Sequence, residues 1–180
     1  MTNIGILVGS LSQKSYSQKI ANYLMKAQLS VKFIQVNYEI LPLYNPDLEQ
    51  NPVLEWQVFR SVVDHMDALI LVTPEYNFSI PGGLKNALDV LSVPLPPANI
   101  VHKPALVITD SSGERGGANA NAHIQQLLRY MGMNVQNDFI TIGRVQAAFD
   151  NQDRLVNQQV AKELDAAMSS FVDTIDRTNR

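Results

Sequence analysis

The chain has 180 residues, 46% hydrophobic and 17% charged, with 14 basic and 17 acidic side chains and a formal net charge of -3. That is the size and balance of one globular domain over residues 1–180, large enough to bury a core without a disulfide or metal staple. Near-neutral charge without long blocks of either sign argues against nucleic acid as a partner, and a sequence without cysteine excludes a thiol nucleophile, Cys-ligated zinc and iron–sulfur clusters.

The amino terminus, Met1-Thr2-Asn3-Ile4-Gly5, lacks the basic and apolar regions of a secretory signal. The longest apolar run, at Ala68–Val72, is far shorter than a membrane span. The expectation is a cytoplasmic protein without membrane contact.

In chain order, Ile4–Val8 is a short Ile/Val-rich run that reads as a strand buried on both faces. Ser15–Leu29 has Ile20, Ala21, Leu24 and Ala27 at helical spacing, with Ser15 or Ser17 as cap. Val31–Tyr38 alternates apolar and polar residues, as a strand nearer an edge does. Leu41–Pro52, with three prolines and two asparagines, is a loop. Pro52–Met66 is helical, with Leu54, Val58, Val62 and Met66 four residues apart and Phe59 beside them. Trp56 there is either a core plug or an interface residue.

Ala68–Val72 is the third strand, ended by Pro74, and Gly83–Leu91 is a helix stopped by the proline-rich Val93–Pro97. Ala105–Thr109 is strand four, Ala118–Met131 helix four, Val135–Ile142 strand five, and Gln152–Thr174 the closing helix. Strict strand–helix alternation predicts an α/β, flavodoxin-like three-layer sandwich, a five-stranded parallel sheet of order 2-1-3-4-5. Ligands of such sheets bind at the carboxyl ends of the strands, near the reversal between strands one and three. The loops after strands one, three and four are therefore the informative ones.

The first loop, Gly9-Ser10-Leu11-Ser12-Gln13-Lys14-Ser15-Tyr16-Ser17, sets four serines between a strand and a helix start. Hydroxyls, free amides and the helix dipole suit a phosphate there, and Lys14 can add charge. Without a ligand it is a Ser-rich turn with an N-cap. Neither G-x-G-x-x-G nor the P-loop pattern is present, so a monophosphate fits better than a dinucleotide or nucleoside triphosphate. The second loop, from Thr73 through Pro74-Glu75-Tyr76-Asn77-Phe78, is stiffened by proline and carries two aromatic rings. The third, Asp110-Ser111-Ser112-Gly113-Glu114-Arg115-Gly116-Gly117, has three glycines that permit close backbone approach.

Pro74-Glu75-Tyr76-Asn77 followed by Pro81-Gly82-Gly83-Leu84-Lys85-Asn86-Ala87-Leu88-Asp89 resembles the NAD(P)H-dependent FMN reductase family of quinone, azo-dye and chromate reductases, almost unbroken over about sixteen positions. Leu41-Pro42-Leu43-Tyr44-Asn45, Ala148-Phe149-Asp150 and the glycines of the third loop extend the likeness over essentially the whole chain. The resemblance implies FMN as cofactor, NADPH or NADH as electron donor, a small-molecule electron acceptor, and a homodimer or homotetramer.

It also implies FMN-binding positions. Ser10, Ser12, Ser15 and Ser17 fall in the phosphate loop, Pro74, Glu75, Tyr76 and Asn77 around the isoalloxazine and ribityl region, and Ser111, Gly113 and Gly117 along the pyrimidine side. Backbone amides from Tyr76 to Phe78 are expected to hydrogen-bond the ring. No catalytic side chain and no metal site is expected, because the cofactor carries the chemistry.

Two departures stand in the first loop, which in the family reads Gly-Ser-x-Arg-x-x-Ser-x-Asn: Ser12 replaces the Arg and Ser17 the Asn. Losing the Arg removes a charge-assisted phosphate contact, which Lys14 can replace only as a point charge. Asp110 brings a carboxylate where the family often has a small hydroxyl residue. Weaker FMN binding than the family's is therefore expected. An electron-carrier flavodoxin and a non-catalytic relative without FMN are the alternative readings.

Overall fold

Strands β1 (Thr2–Val8), β3 (Ala68–Pro74) and β4 (Pro104–Asp110) are buried along almost their whole length, as central parallel strands must be when helices cover both faces. The computed structural model describes residues 1–27, 30–93 and 100–178. With β2 (Val31–Gln35), β5 (Asn134–Val135) and β6 (Ile140–Ile142) these strands form one parallel sheet in the order β2-β1-β3-β4-β5, with β6 also on β4. The chain reverses between β1 and β3, paired from Ile4 with Ala68 to Val8 with Val72.

Two apolar cores result. One face, with Leu7, Leu69, Leu71 and Val107, packs against α2 (Leu54–Asp64), α3 (Gly82–Leu91) and α4 (Ala118–Tyr130). The other, with Ile6, Ile70, Leu106 and Ile108, packs against α1 (Tyr16–Leu24) and α5 (Gln158–Thr178). No helix among the described residues is long and apolar enough to cross a membrane.

Several boundaries differ from expectation, each for a local reason. The expected strand 135–142 is two short strands, interrupted at Gln136-Asn137-Asp138, where polar residues with poor strand preference leave the ladder. The last helix begins at Gln158 rather than Gln152, because Asn157 Oδ1 accepts from the Gln159 and Val160 amides and so caps it. Asp150 holds the preceding turn by accepting from the Gln152 and Arg154 amides. The 41–52 loop contains a short 3-10 turn, Pro46–Leu48. Residues 28–29 of the expected first helix and 94–97 of the proline-rich stop lie outside the described residues.

On α2 the buried stripe is Trp56, Phe59 and Val63; of the four-residue series of the sequence only Met66, just past the helix, is buried. Leu54, Val58 and Val62 face outward, 70%, 53% and 37% exposed. Trp56 is core, its Nε1 donating to the Pro42 carbonyl at 3.1 Å.

Candidate functional site

At the carboxyl end of β1 the Gly9 amide donates to the Val72 carbonyl at 2.8 Å, keeping the chain against β3 for one residue beyond the strand. A Cβ at Gly9 would lie 1.8 Å from Thr73 Oγ1, so only glycine allows this approach. The loop then folds on its own hydroxyls: Ser10 Oγ accepts from the Ser12 amide, and Ser12 Oγ from the Lys14 amide. Ser15 is the N-cap of α1, its Oγ accepting from the Gln18 amide at 3.1 Å. The first amides of a helix have no intrahelical partner. With Gln18 bonded to Ser15, the Tyr16 and Ser17 amides are left at the positive end of the α1 dipole.

After β3 the chain makes a two-residue hairpin. Tyr76 and Ser79 exchange both backbone hydrogen bonds at 3.0 Å, and Asn77 and Phe78 between them have φ of 50° and 61°. This is a type I′ turn. Asn tolerates that conformation, whereas Phe strains in it. Phe78 is 70% exposed and Tyr76 49%. The Tyr76 amide is taken by Ser79, which corrects the expectation of a free donor there. Among the described residues the Asn77 and Phe78 amides make no backbone hydrogen bond.

Three contacts hold the hairpin. The Tyr76 hydroxyl lies 3.3 Å from Ser10 Oγ, joining the first two loops. Ser79 Oγ lies 3.2 Å from His123 Nδ1 on α4. Glu75 Oε2 accepts from the Asn119 and Ala120 amides at 2.8 and 3.0 Å, capping α4, whose own N-cap Gly117 has no side chain. Further along, Asn86 accepts from the Tyr44 amide and donates to the Pro42 carbonyl, tying the 41–45 segment to α3.

The third loop is clamped to the turn after β6: Ser111 donates to Ile142 and accepts from Val145, and the Gly113 carbonyl accepts from the Arg144 amide. Gly117 has φ of 80°, and a Cβ there would meet the Asp110 carbonyl oxygen at 3.1 Å, so its absence of a side chain serves the backbone.

The loops enclose a cleft of about 270 Å³. Ser10, Ser12, Ser15 and Ser17 line it from the first loop, Pro74, Glu75 and Tyr76 from the second, and Ser111 from the third. Asn77, Gly113 and Gly117 are not in its wall. Lys14, Tyr16, Asp110, Ser112 and Val145 complete it. Tyr16 and Ser112 adjoin residues the sequence marks. Val145 carries no motif; its place in the wall depends on the pairing of β6 with β4 and on its amide bonding the Ser111 carbonyl.

Asp110 ends β4 and is 3% exposed, and its Oδ2 accepts a hydrogen bond from Ser17 Oγ on α1. Burial pushes its carboxyl up to about 6, opposed by the Ser17 hydrogen bond. At the neighbouring edge the buried Tyr38 hydroxyl donates to the Val8 carbonyl at 2.7 Å, and burial raises its phenol pKa.

Residues 2–147 match the family model described as NADPH-dependent FMN reductase. A quinone reductase of Pseudomonas putida is 36% identical over 174 residues, covering 94% of this chain and 92% of its own. A quinone reductase of Escherichia coli K12 is 34% identical over 179 residues, covering 95% and 94%. Among solved structures, the FerB flavoenzyme NAD(P)H:(acceptor) oxidoreductase of Paracoccus denitrificans superposes with a TM-score of 0.87 at 30% identity, over 98% of both chains. Sheet order and these similarities agree: the chain belongs to the NADPH-dependent FMN reductase family.

Proposed function

We propose that this chain is an FMN-dependent oxidoreductase that takes reducing equivalents from NADPH or NADH and passes them to a quinone-like or other small acceptor. The observation that carries the reading is the meeting of three loops in one cleft at the sheet's reversal point, with serine hydroxyls and helix amides at one end and an aromatic-bearing turn at the other.

The residues fit the cofactor. Ser10, Ser12 and Ser15, with the Tyr16 and Ser17 amides, offer a phosphate small donors at a helix start. Gly113 lies outside the cleft wall, and a Cβ there would meet only Ser111 Oγ at 3.6 Å, so the third loop is uncrowded on that side. Bound FMN supplies the redox chemistry, a hydride in from the nicotinamide and two electrons out with protons to the acceptor. The protein's part is placement. Glu75 anchors the turn, Pro74 stiffens its approach, and the Asn77 and Phe78 amides are donors for added electron density. The exposed Tyr76 and Phe78 rings leave an open apolar approach that fits a permissive range of planar acceptors.

A homodimer or homotetramer belongs to this reading, supported by the outward Leu54, Val58 and Val62 on α2. So does a cytoplasmic setting, where both reduced nicotinamides are at hand. The test is NADPH and NADH oxidation by the purified chain with benzoquinone, with and without FMN. Turnover that requires FMN and quinone is expected. Quinone-dependent turnover indifferent to FMN, or none with FMN saturating, contradicts the proposal.

A further inference from the structure

The cleft's serine-rich end has a carboxylate built into it. Asp110 sits on the α1/α5 side of the sheet, on the same strand face as Leu106 and Ile108, with its side chain turned to Ser17 in the first turn of α1. It is 3% exposed and Ser17 1%, yet both reach the cleft wall beside Ser10, Ser12 and Ser15. Among the described residues Asp110 has no ion-pair partner; its one side-chain hydrogen bond is from a neutral hydroxyl.

Three charged side chains on the neighbouring elements are engaged elsewhere. Lys19 on α1 pairs with Asp153 at 2.6 Å and lies over the Tyr16 ring. Glu75 at the end of β3 is bonded to the α4 amides. Arg144, in the turn after β6, pairs with Glu114. Tyr16 and Tyr76 contribute phenol rings to the wall, and among the described residues Lys14 is the one basic side chain lining it.

We infer that Asp110 sets the charge selectivity of this end of the cleft: ionised it opposes the phosphate's negative charge, protonated it does not, so that affinity for FMN falls relative to riboflavin as pH rises. The inference rests on the FMN reading of the cleft. Its sign is diagnostic. A phosphate monoester gains its second charge near pH ~6, and an ordinary site at a helix start then binds it more tightly. Here the carboxylate becomes charged over the same range, held above the usual carboxylate values by its burial. Two like charges several ångströms apart in a protein-like effective dielectric change binding by about tenfold or more. Riboflavin carries no phosphate and does not meet this repulsion.

The experiment compares dissociation constants of FMN and riboflavin, by flavin fluorescence quenching, for the wild-type chain and Asp110→Asn at about pH 5 and about pH 8. The amide keeps an acceptor for the Ser17 hydroxyl. Expected is FMN binding about tenfold or more tighter in the variant at the higher pH, near equality at the lower, and a change in riboflavin affinity much smaller than that in FMN affinity. Equal FMN affinity of the two proteins at the higher pH overturns the inference, with the FMN reading intact. A riboflavin gain as large as the FMN gain overturns it too, since that marks repacking and not charge. If neither protein binds FMN at either pH, both fall. The wild-type chain alone gives a further readout: its preference for FMN over riboflavin drops with rising pH, and a flat or rising preference refutes the assignment.

Discussion

The Glu75 carboxylate and the Asn119 amide meet at 2.8 Å, joining the end of β3 to the first turn of α4. One acid thereby caps a helix whose N-cap is glycine and fixes the start of the Tyr76–Ser79 turn.

Glu75→Ala removes both functions. Loss of a helix cap costs about 1 kcal/mol, and the turn loses its anchor, so FMN affinity falls together with the unfolding midpoint. Glu75→Gln keeps an acceptor without charge and loses less of each. Thermal melts and FMN titrations of the two variants check the order. An alanine variant with unchanged flavin affinity would show that the turn is held by Tyr76 and Ser79 alone.

Phe78 occupies a left-handed position at φ 61°. Phe78→Gly places a glycine directly after Asn77, and Asn-Gly is the pair best suited to a type I′ turn. Relief of the side-chain clash is worth about 1 kcal/mol, or a rise of about 2–4 °C in Tm for a chain of this length. A fall in Tm would mean that the exposed ring contributes packing exceeding its strain.

The Asp110 carboxyl has a folded pKa of about 6 against an ordinary 3.8. Between those values the folded state holds the extra proton, so stability declines as pH rises through this window and is level above it. Asp110→Asn escapes the decline and is more stable than the wild type near neutrality, by something on the order of 2–3 kcal/mol. Melts at stepped pH check this. Parallel pH profiles for the two proteins would contradict it.

Leu54, Val58 and Val62 form the outward apolar side of α2. A lysine at the central position, Val58→Lys, puts a charge into any contact between copies there. Light scattering after size exclusion is expected to show the wild-type assembly and a dissociated variant that still melts cooperatively, at a Tm no higher than the wild type's. Equal masses would move the interface elsewhere.

Much of the architecture is legible from local pattern. The apolar runs at 4–8, 68–72 and 105–109 are the length of buried parallel strands, and each is found within a buried strand. Less legible is what depends on distant partners. Leu54, Val58 and Val62 share one side of a helix as regularly as core residues do; only the sheet's position decides that Trp56, Phe59 and Val63 face inward. Glu75 reads as a cofactor residue within its motif, while its carboxylate serves amides 44 residues away. The Asp110–Ser17 pair spans 93 residues, and neither residue alone signals the other.

The most direct test is the reductive half-reaction without acceptor. The FMN-loaded chain is mixed anaerobically with NADPH or NADH, and the flavin's visible absorption is followed before one equivalent of benzoquinone is added. Rapid bleaching by a reduced nicotinamide and full return of colour on quinone addition are expected. Bound flavin that neither nucleotide bleaches, or bleached flavin that quinone does not restore, would contradict the assignment of this cleft as the path between donor and acceptor.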